Sequence, residues 1–359
     1  MWLICGAMKL LHVIAGAEVG GAETYAQDAI LALQALGVQQ TVLTRPWPAV
    51  MARYAAAGVD ARPFSFSRLD RLKLAPGRIR RLAQDLGVDL VQAWMQRAGS
   101  FIPANMPCPV IGWFGDYYDL KYFRHADAYI GVTGDIASYI KAQGRPAERV
   151  FTVNTFGTMP PAAPVSRASL TTPDGVPLLR VPARLHAVKG IDIMLRALAQ
   201  TPGAWLWLAG DGPELANYQA LADQLGVADR VRFLGWRHDR RALFDACDIV
   251  VLPSRYEPFG TVIAEAWAMC RPLVASRADG ARQYVTDGQS GLLCPIEDPD
   301  ALAACLRRVI EDADLRAHLV SGGDAAYQAD FTRDVAVNRL LACYAHCIAL
   351  GKAAGDTHG

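Results

Sequence analysis

The sequence predicts an α/β protein built from two doubly wound, Rossmann-like domains, and three observations predict it. Short runs rich in Val, Ile and Leu alternate with helix-length segments along the whole chain, as parallel strands covered by helices do. Glycine-bearing turns join several strands to the following helix. The stretch from Thr158 to Pro177 is rich in Pro, Ala, Ser and Thr, has no hydrophobic period and divides the alternation in two. With 359 residues, the chain is long enough for two domains.

The elements follow in order. Leu10 to Ile14 is apolar and reads as a strand. It leads through Ala15-Gly-Ala-Glu-Val-Gly20-Gly21-Ala22-Glu23 into a helix ending near Leu36, before Gly37. A strand over Thr41 to Thr44, a helix over Val50 to Gly58 and a strand over Asp60 to Phe64 come next. A helix over Arg78 to Leu86 precedes strands at Asp89 to Trp94, Val110 to Trp113 and Tyr129 to Thr133. A helix over Asp135 to Gln143 and a strand over Val150 to Val153 close the first half. In the second half strands are expected at Leu178 to Val181, Trp205 to Leu208, Val231 to Leu234, Asp248 to Leu252, Pro272 to Ala275 and Gly291 to Cys294. Helices are expected over Ile191 to Ala199, up to Leu225, up to Ala246, and over Thr261 to Met269, Asp300 to Ile310 and Thr332 to Leu350, with a turn at Ala278 to Arg282. The expected division is 1–160, a linker 161–176, 177–330, and a helix and tail 331–359 that packs back on the first domain.

Charge is nearly balanced, 36 Lys and Arg against 35 Asp and Glu, so nucleic acid is not an expected partner. The opening MWLICGAMKLL is too short and uncharged at its start for a signal peptide, and no apolar run is long enough to span a membrane. Met1 and Met8 are alternative starts, since Lys9 opens the first strand. The 8 cysteines lack CxxC pairs and read as reduced thiols of a cytoplasmic protein. Cys343, His346 and Cys347 share a helix face and read as core rather than as a metal site. Asp298, Asp300, Asp312 and Asp314 sit near helix starts and read as caps rather than as metal ligands. The segment Arg68 to Arg81 interleaves Arg68, Arg71, Lys73, Arg78, Arg80 and Arg81 with Leu69, Leu72, Leu74 and Ile79. It is either a solvated helix face or a contact for an anionic membrane or a phosphorylated glycolipid.

The stretch Pro253 to Cys270, PSRYEPFGTVIAEAWAMC, carries the strongest chemical signal. It reads as a tight loop after a buried strand, then a helix start. Unpaired amides around Phe259, Gly260 and Thr261 would make an anion site, because a helix N-terminus offers free N–H groups and a partial positive charge. Glu257 and Glu265 flank that site and are suited to hydroxyls, not to the phosphate. A phosphate between two hydroxyl-reading carboxylates describes a sugar nucleotide.

Glu257 and Glu265 are separated by seven residues, with Pro-Phe-Gly after the first and Ala after the second. This resembles the E-x7-E signature of retaining glycosyltransferases of family four, which have the GT-B fold of two Rossmann-like domains facing each other across a cleft. The resemblance is strongest from about Leu178 to Leu350. It implies an acceptor-binding N-terminal domain and a C-terminal domain for the nucleotide sugar, with UDP-sugar as first choice. It implies a glycan or glycolipid acceptor of the cell envelope, such as lipopolysaccharide core or exopolysaccharide, and a location in the cytoplasm, peripheral to the inner membrane face. Arg184 and Lys189 match the pair that contacts the donor diphosphate. Glu265 would bind ribose hydroxyls and Glu257 a hydroxyl of the transferred sugar. Gly20 and Gly21 match a loop beneath the donor, and Gly210 a small-residue turn beside it. Gly235, Trp236 and Arg237 match the place where the base is held. No cofactor or metal is implied. The family often carries a His after the strand ending at Trp113; here the sequence is Trp113-Phe-Gly-Asp-Tyr-Tyr118, so Asp116 or a tyrosine would take its contact. The alternatives are a non-catalytic sugar-nucleotide-binding scaffold, or an epimerase or phosphorylase of similar architecture.

Overall fold

The computed structural model describes residues 8–356, apart from Val19, Arg68, residues 71–74 and Thr158, with side chains as far as Gly351. The seven residues before Met8, where the alternative start at Met1 falls, and Arg68, Arg71, Leu72, Lys73 and Leu74 of the basic segment therefore lie outside the described residues. The chain forms two compact units. One comprises the residues up to Phe156 together with those from Arg333 onward; the other is Gly157–Thr332.

The first unit runs β1 (Lys9–Ile14), α1 (Gly21–Ala35), β2 (Gln39–Thr44), α2 (Pro48–Ala56), β3 (Asp60–Pro63), α3 (Ala75–Leu86), β4 (Leu90–Trp94), α4 (Met95–Gly99), β5 (Val110–Phe114), β6 (Ala128–Gly131), α5 (Gly134–Ala142) and β7 (Val150–Thr152). Its sheet is wholly parallel, in the order β3-β2-β1-β4-β5-β6-β7. The strand order reverses between β1 and β4, so the switch point lies there. β4 and β5 are buried along their whole length, which fits their mainly apolar sequences, LVQAW and VIGWF. The Thr133 hydroxyl accepts from the Ile136 amide at 3.0 Å and starts α5. Within the basic segment, α3 turns Ala75, Ile79 and Ala83 inward and leaves Arg78, Arg80 and Arg81 exposed.

The second unit runs β8 (Leu178–Val181), α6 (Ile191–Ala199), β9 (Trp205–Leu208), α7 (Leu215–Gln224), β10 (Val231–Phe233), α8 (Arg240–Ala246), β11 (Ile249–Leu252), α9 (Thr261–Ala268), β12 (Leu273–Ser276), α10 (Asp279–Tyr284), β13 (Leu292–Cys294), α11 (Pro299–Glu311) and α12 (Ala313–Asp330). Its parallel sheet has the order β10-β9-β8-β11-β12-β13, with the switch point between β8 and β11. Asp298 and Asp312 cap α11 and α12, accepting from the amides of Ala301 and Leu315 at 2.8 Å each. The expected turn at Ala278 to Arg282 is instead part of the short helix α10. The helix α12 has no counterpart in the sequence reading, and it carries Gly322-Gly323 in its interior. They are there for close packing: a Cβ on Gly323 would stand 2.4 Å from the Trp267 ring, and one on Gly322 2.2 Å from the Gln289 carbonyl oxygen. The stretch read as an open linker is also tied down. Arg167 donates to the Ala246 carbonyl at 2.9 Å and to Asp248 at 2.7 Å, which fastens it to the second unit.

The last helix, α13 (Arg333–Asp356), belongs to the first unit and packs on α1 and β4. Tyr344 is buried and donates its hydroxyl to Gln92. Cys343 and Cys347 are buried beside it, and His346 meets Phe151 edge-on.

His12 lies fully buried in β1, between the Gln40 side chain at 3.0 Å and the Trp94 indole nitrogen at 3.2 Å. Burial lowers its pKa to about 4, with the Gln40 hydrogen bond opposing. Below the ordinary value of 6.5, the unfolded chain takes up the proton first. Stability should therefore fall as the pH drops from about 6.5 to about 4, by about 3 kcal/mol in all. Urea unfolding at pH 7 and pH 4.5 checks this. His12→Gln should show a smaller loss than the native chain between those two pH values.

Candidate active site

Open parallel sheets receive ligands at the carboxyl ends of their strands, where the strand order reverses. In the second unit two loops flank that point, residues 182–190 after β8 and 253–260 after β11. Their backbones are in direct contact. Gly190 has φ 65°, and a Cβ there would lie 2.0 Å from the Pro253 carbonyl oxygen. A Cβ on Gly210 would lie 2.0 Å from the Ala183 carbonyl oxygen, so the turn after β9 presses on the first of these loops from its other side. The Arg255 amide donates to Val188 at 2.8 Å. Its guanidinium bonds the Ala187 carbonyl at 2.7 Å, both oxygens of Asp192 at 2.8 and 2.7 Å, and Glu297 at 2.6 Å. Gly280 of α10 completes the frame: its amide donates to the Glu257 carbonyl at 2.8 Å.

This frame brings Lys189 and Glu257 together, with Nζ and Oε2 2.6 Å apart and both side chains largely buried. Ser254 donates to the same oxygen at 3.3 Å. Arg184 is exposed, and its guanidinium has no hydrogen-bonding or ionic partner among the described residues. α9 starts from Gly260 in the left-handed region at φ 79°, and no side chain caps it. The amides of Thr261 and Val262 are left without an intrahelical partner, as in any first helical turn. Phe259 does not line this turn with its ring, which is buried against Tyr284 and Phe331 at centroid distances of 5.7 and 6.0 Å. Glu265, one turn into α9, is buried. Its Oε1 accepts from Arg240, and its Oε2 is buried with no partner among the described residues.

The loop after β10 holds Gly235 at φ 64° and Trp236, whose side chain is exposed and not packed. Arg237 is committed to Asp239, with Nε 2.8 Å from Oδ1. That hydrogen bond raises the Arg237 guanidinium and holds the Asp239 carboxyl below the usual carboxylate range. In the first unit, Gly20 precedes α1, and Gly21 opens it. The Glu23 side chain folds back over this turn and accepts from the Ala17 amide at 3.0 Å. Asp116, after β5, accepts from the Tyr117 amide at 2.7 Å. Burial, then Asp116 and Glu23, push the Tyr118 phenol well above its usual range, so both carboxylates act on one side chain.

Sequence reasoning missed Arg240 and Arg255. Arg255 lies inside the motif but reads as a surface residue there. Arg240 has one legible signal, a cation at the start of a helix, where the dipole disfavours it. Among the described residues no group of three or more His, Cys, Asp or Glu side chains could hold a metal ion, and no helix is long and apolar enough to cross a membrane.

Family models described as "Glycosyltransferase Family 4" and "Glycosyl transferases group 1" match residues 19–156 and 163–325. The chain is 34% identical over 338 residues to the lipopolysaccharide core biosynthesis glycosyltransferase LpsE of Rhizobium meliloti, covering 93% of this chain and 98% of LpsE. The chain belongs to glycosyltransferase family 4. This family-4 transferase is also 33% identical to LpsD of the same organism, across 97% of LpsD. Among solved structures, Anabaena HepE in complex with UDP-glucose is 25% identical with a TM-score of 0.79, covering 93% of this chain and 98% of HepE. WaaG, a glycosyltransferase involved in lipopolysaccharide biosynthesis, shares the fold at 18% identity and a TM-score of 0.65, covering 94% of this chain and 98% of WaaG. The two Rossmann-like sheets are those of the GT-B fold.

Gly280 gives a test of the loop frame. A Cβ there would stand 2.0 Å from the Phe259 carbonyl oxygen, so Gly280→Val must displace the loop that carries Glu257. A displacement of about 1 Å should lower turnover on the order of 100-fold. Steady-state kinetics alongside circular dichroism checks this. Gly77→Ala, where a Cβ meets nothing, should leave both unchanged.

Proposed function

We propose that this family-4 transferase moves a sugar, with retention of configuration, from a UDP-sugar to a lipopolysaccharide core or related envelope glycan. The observation that carries this is the Lys189–Glu257 pair beside the uncapped start of α9, with the buried carboxylate of Glu265 one turn further in. The names of LpsE and LpsD support the acceptor class, and the UDP-glucose bound to HepE supports the nucleotide.

In this reading the second unit binds the donor, with Gly210, Gly235, Phe259, Gly260 and Thr261 contributing backbone. The α9 amides, Lys189 and Arg184 receive the diphosphate and stabilise the charge that builds as it leaves. Glu257 accepts from a hydroxyl of the transferred sugar, and the ion pair with Lys189 holds its carboxylate in place. Glu265 accepts from the ribose hydroxyls, and Trp236 offers its open ring to the base. In the first unit, Gly20 and Gly21 serve the donor's sugar and phosphates, and Asp116 takes a polar contact to the sugar. The departing phosphate takes the acceptor proton, so no enzymic base is required, and the α9 amides with Arg184 and Lys189 take the charge-stabilising part a metal would otherwise play.

Release of UDP from a panel of UDP-sugars, assayed in EDTA with a core oligosaccharide acceptor, tests the reading. Activity should persist in EDTA. Arg184→Ala should lose about 100- to 1,000-fold in kcat, as loss of one oxyanion donor does. Glu257→Gln should lower kcat while leaving UDP affinity nearly unchanged. Loss of activity in EDTA with recovery in Mn²⁺ would refute metal independence. Native kinetics in both variants would refute the site, and transfer without UDP release would refute the donor.

We also infer peripheral attachment to the cytoplasmic membrane face through the exposed Arg78, Arg80 and Arg81 of α3. Binding to vesicles containing phosphatidylglycerol should fall steeply between about 0.05 and 0.5 M salt as exposed charges are screened. No binding at the lower salt would remove this inference and leave the transfer reaction untouched.

A further inference from the structure

Glu265 is only 4% exposed, and one of its carboxylate oxygens has no partner among the described residues. An ionised carboxylate at that depth must be paired with a cation, or it takes up a proton and becomes neutral. The cation is Arg240, which donates to Oε1.

Arg240 occupies an unfavourable place. It is the first residue of α8, at the positive end of the helix dipole and followed directly by Arg241. Beneath it lies Arg180, 1% exposed, with its guanidinium 3.9 Å from the centroid of the Phe244 ring. Arg180 donates to the Arg240 carbonyl at 3.2 Å and so fixes the backbone from which Arg240 reaches out. Two guanidinium groups and a helix N-terminus thus crowd one short segment. Asp239 offsets part of that charge but is engaged with Arg237. The carboxylate that Arg240 itself reaches is Glu265, across 25 residues of sequence.

We propose that Arg240 is a positioning residue for donor binding: by occupying Oε1 it keeps Glu265 ionised and leaves Oε2 as the acceptor for the ribose hydroxyls. The proposal rests on the reading of Glu265 as the ribose contact. It adds that this contact depends on a second residue, placed outside the motif and itself held by a buried arginine.

The test is calorimetric titration with UDP and with 2′,3′-dideoxy-UDP. The native protein should bind UDP roughly 10- to 100-fold tighter than the analogue, the size of a charge-assisted hydrogen bond. In Arg240→Ala the UDP affinity should fall to that of the analogue, and the affinity for the analogue should stay within about twofold of native. Arg240→Lys should recover part of the discrimination. The double variant Arg240→Ala/Glu265→Gln should bind UDP no more weakly than the weaker single variant, because both remove one interaction. Thermal unfolding shows which variants fold, and Arg240→Gln replaces Arg240→Ala if the latter does not. Native discrimination in the Arg240 variants would overturn the proposal. So would an equal loss of UDP and the analogue, which would mean that Arg240 only supports the fold. A native protein that binds both ligands equally would instead remove the ribose reading of Glu265, and the proposal with it.

Discussion

At Gly190, Gly210 and Gly280 the backbone of one loop lies against the carbonyl oxygen of another, with no volume for a methyl group between them. The loops after β8, β9 and β11 and the start of α10 are therefore one rigid body and not four independent turns. That rigidity decides the electrostatics. A lysine and a glutamate, both largely buried and 2.6 Å apart, lose more hydration than their attraction repays unless the surroundings hold them in register. The interlocked backbone provides that register, and the Arg255 fork ties the two loops a second time. A site whose charges are fixed before the ligand arrives does not have to reorganise when charge develops on a leaving group.

Much of the architecture was legible because parallel strands buried on both faces have few ways to be written. The runs Leu178 to Val181 and Trp205 to Leu208 have the observed bounds, since apolar residues stop where the strands leave the sheet. The family was legible by resemblance: Glu257 and Glu265 stand seven residues apart with Pro-Phe-Gly after the first, and Arg184 and Lys189-Gly190 agree with the same signature. Reading failed where a residue type serves two purposes. No element was read between Ile310 and Thr332, where Gly322-Gly323 let α12 approach the Trp267 ring. The backbone of Phe259 belongs to the turn before α9, while its ring is an anchor in an aromatic cluster that the sequence did not reveal. Arg240 could not be linked to Glu265 from sequence, because it is the connection from β10 back across the sheet to β11 that brings the start of α8 within reach of α9.

Asymmetry between the two units follows from the same physics. The second unit's loops are crossed by ion pairs and by contacts that exclude a methyl group. In the first unit, the turn before α1 is closed by the Glu23 side chain folding back on its own loop. That turn is thus closed by a side chain rather than by a second backbone. Between Trp113 and Tyr118, aspartate and tyrosine stand where a histidine was expected.

α13 lies after the whole second unit in sequence yet belongs to the first, packed on α1 and β4. The order of synthesis therefore differs from the order of assembly. A ribosome finishes the inserted unit before it releases the helix that covers one side of the first sheet. Throughout that interval the pocket for Tyr344, with Gln92 at its floor, stays open to water. Until α13 emerges, the nascent first half lacks the helix that packs on α1 and β4, and the apolar surface buried there is open to aggregation.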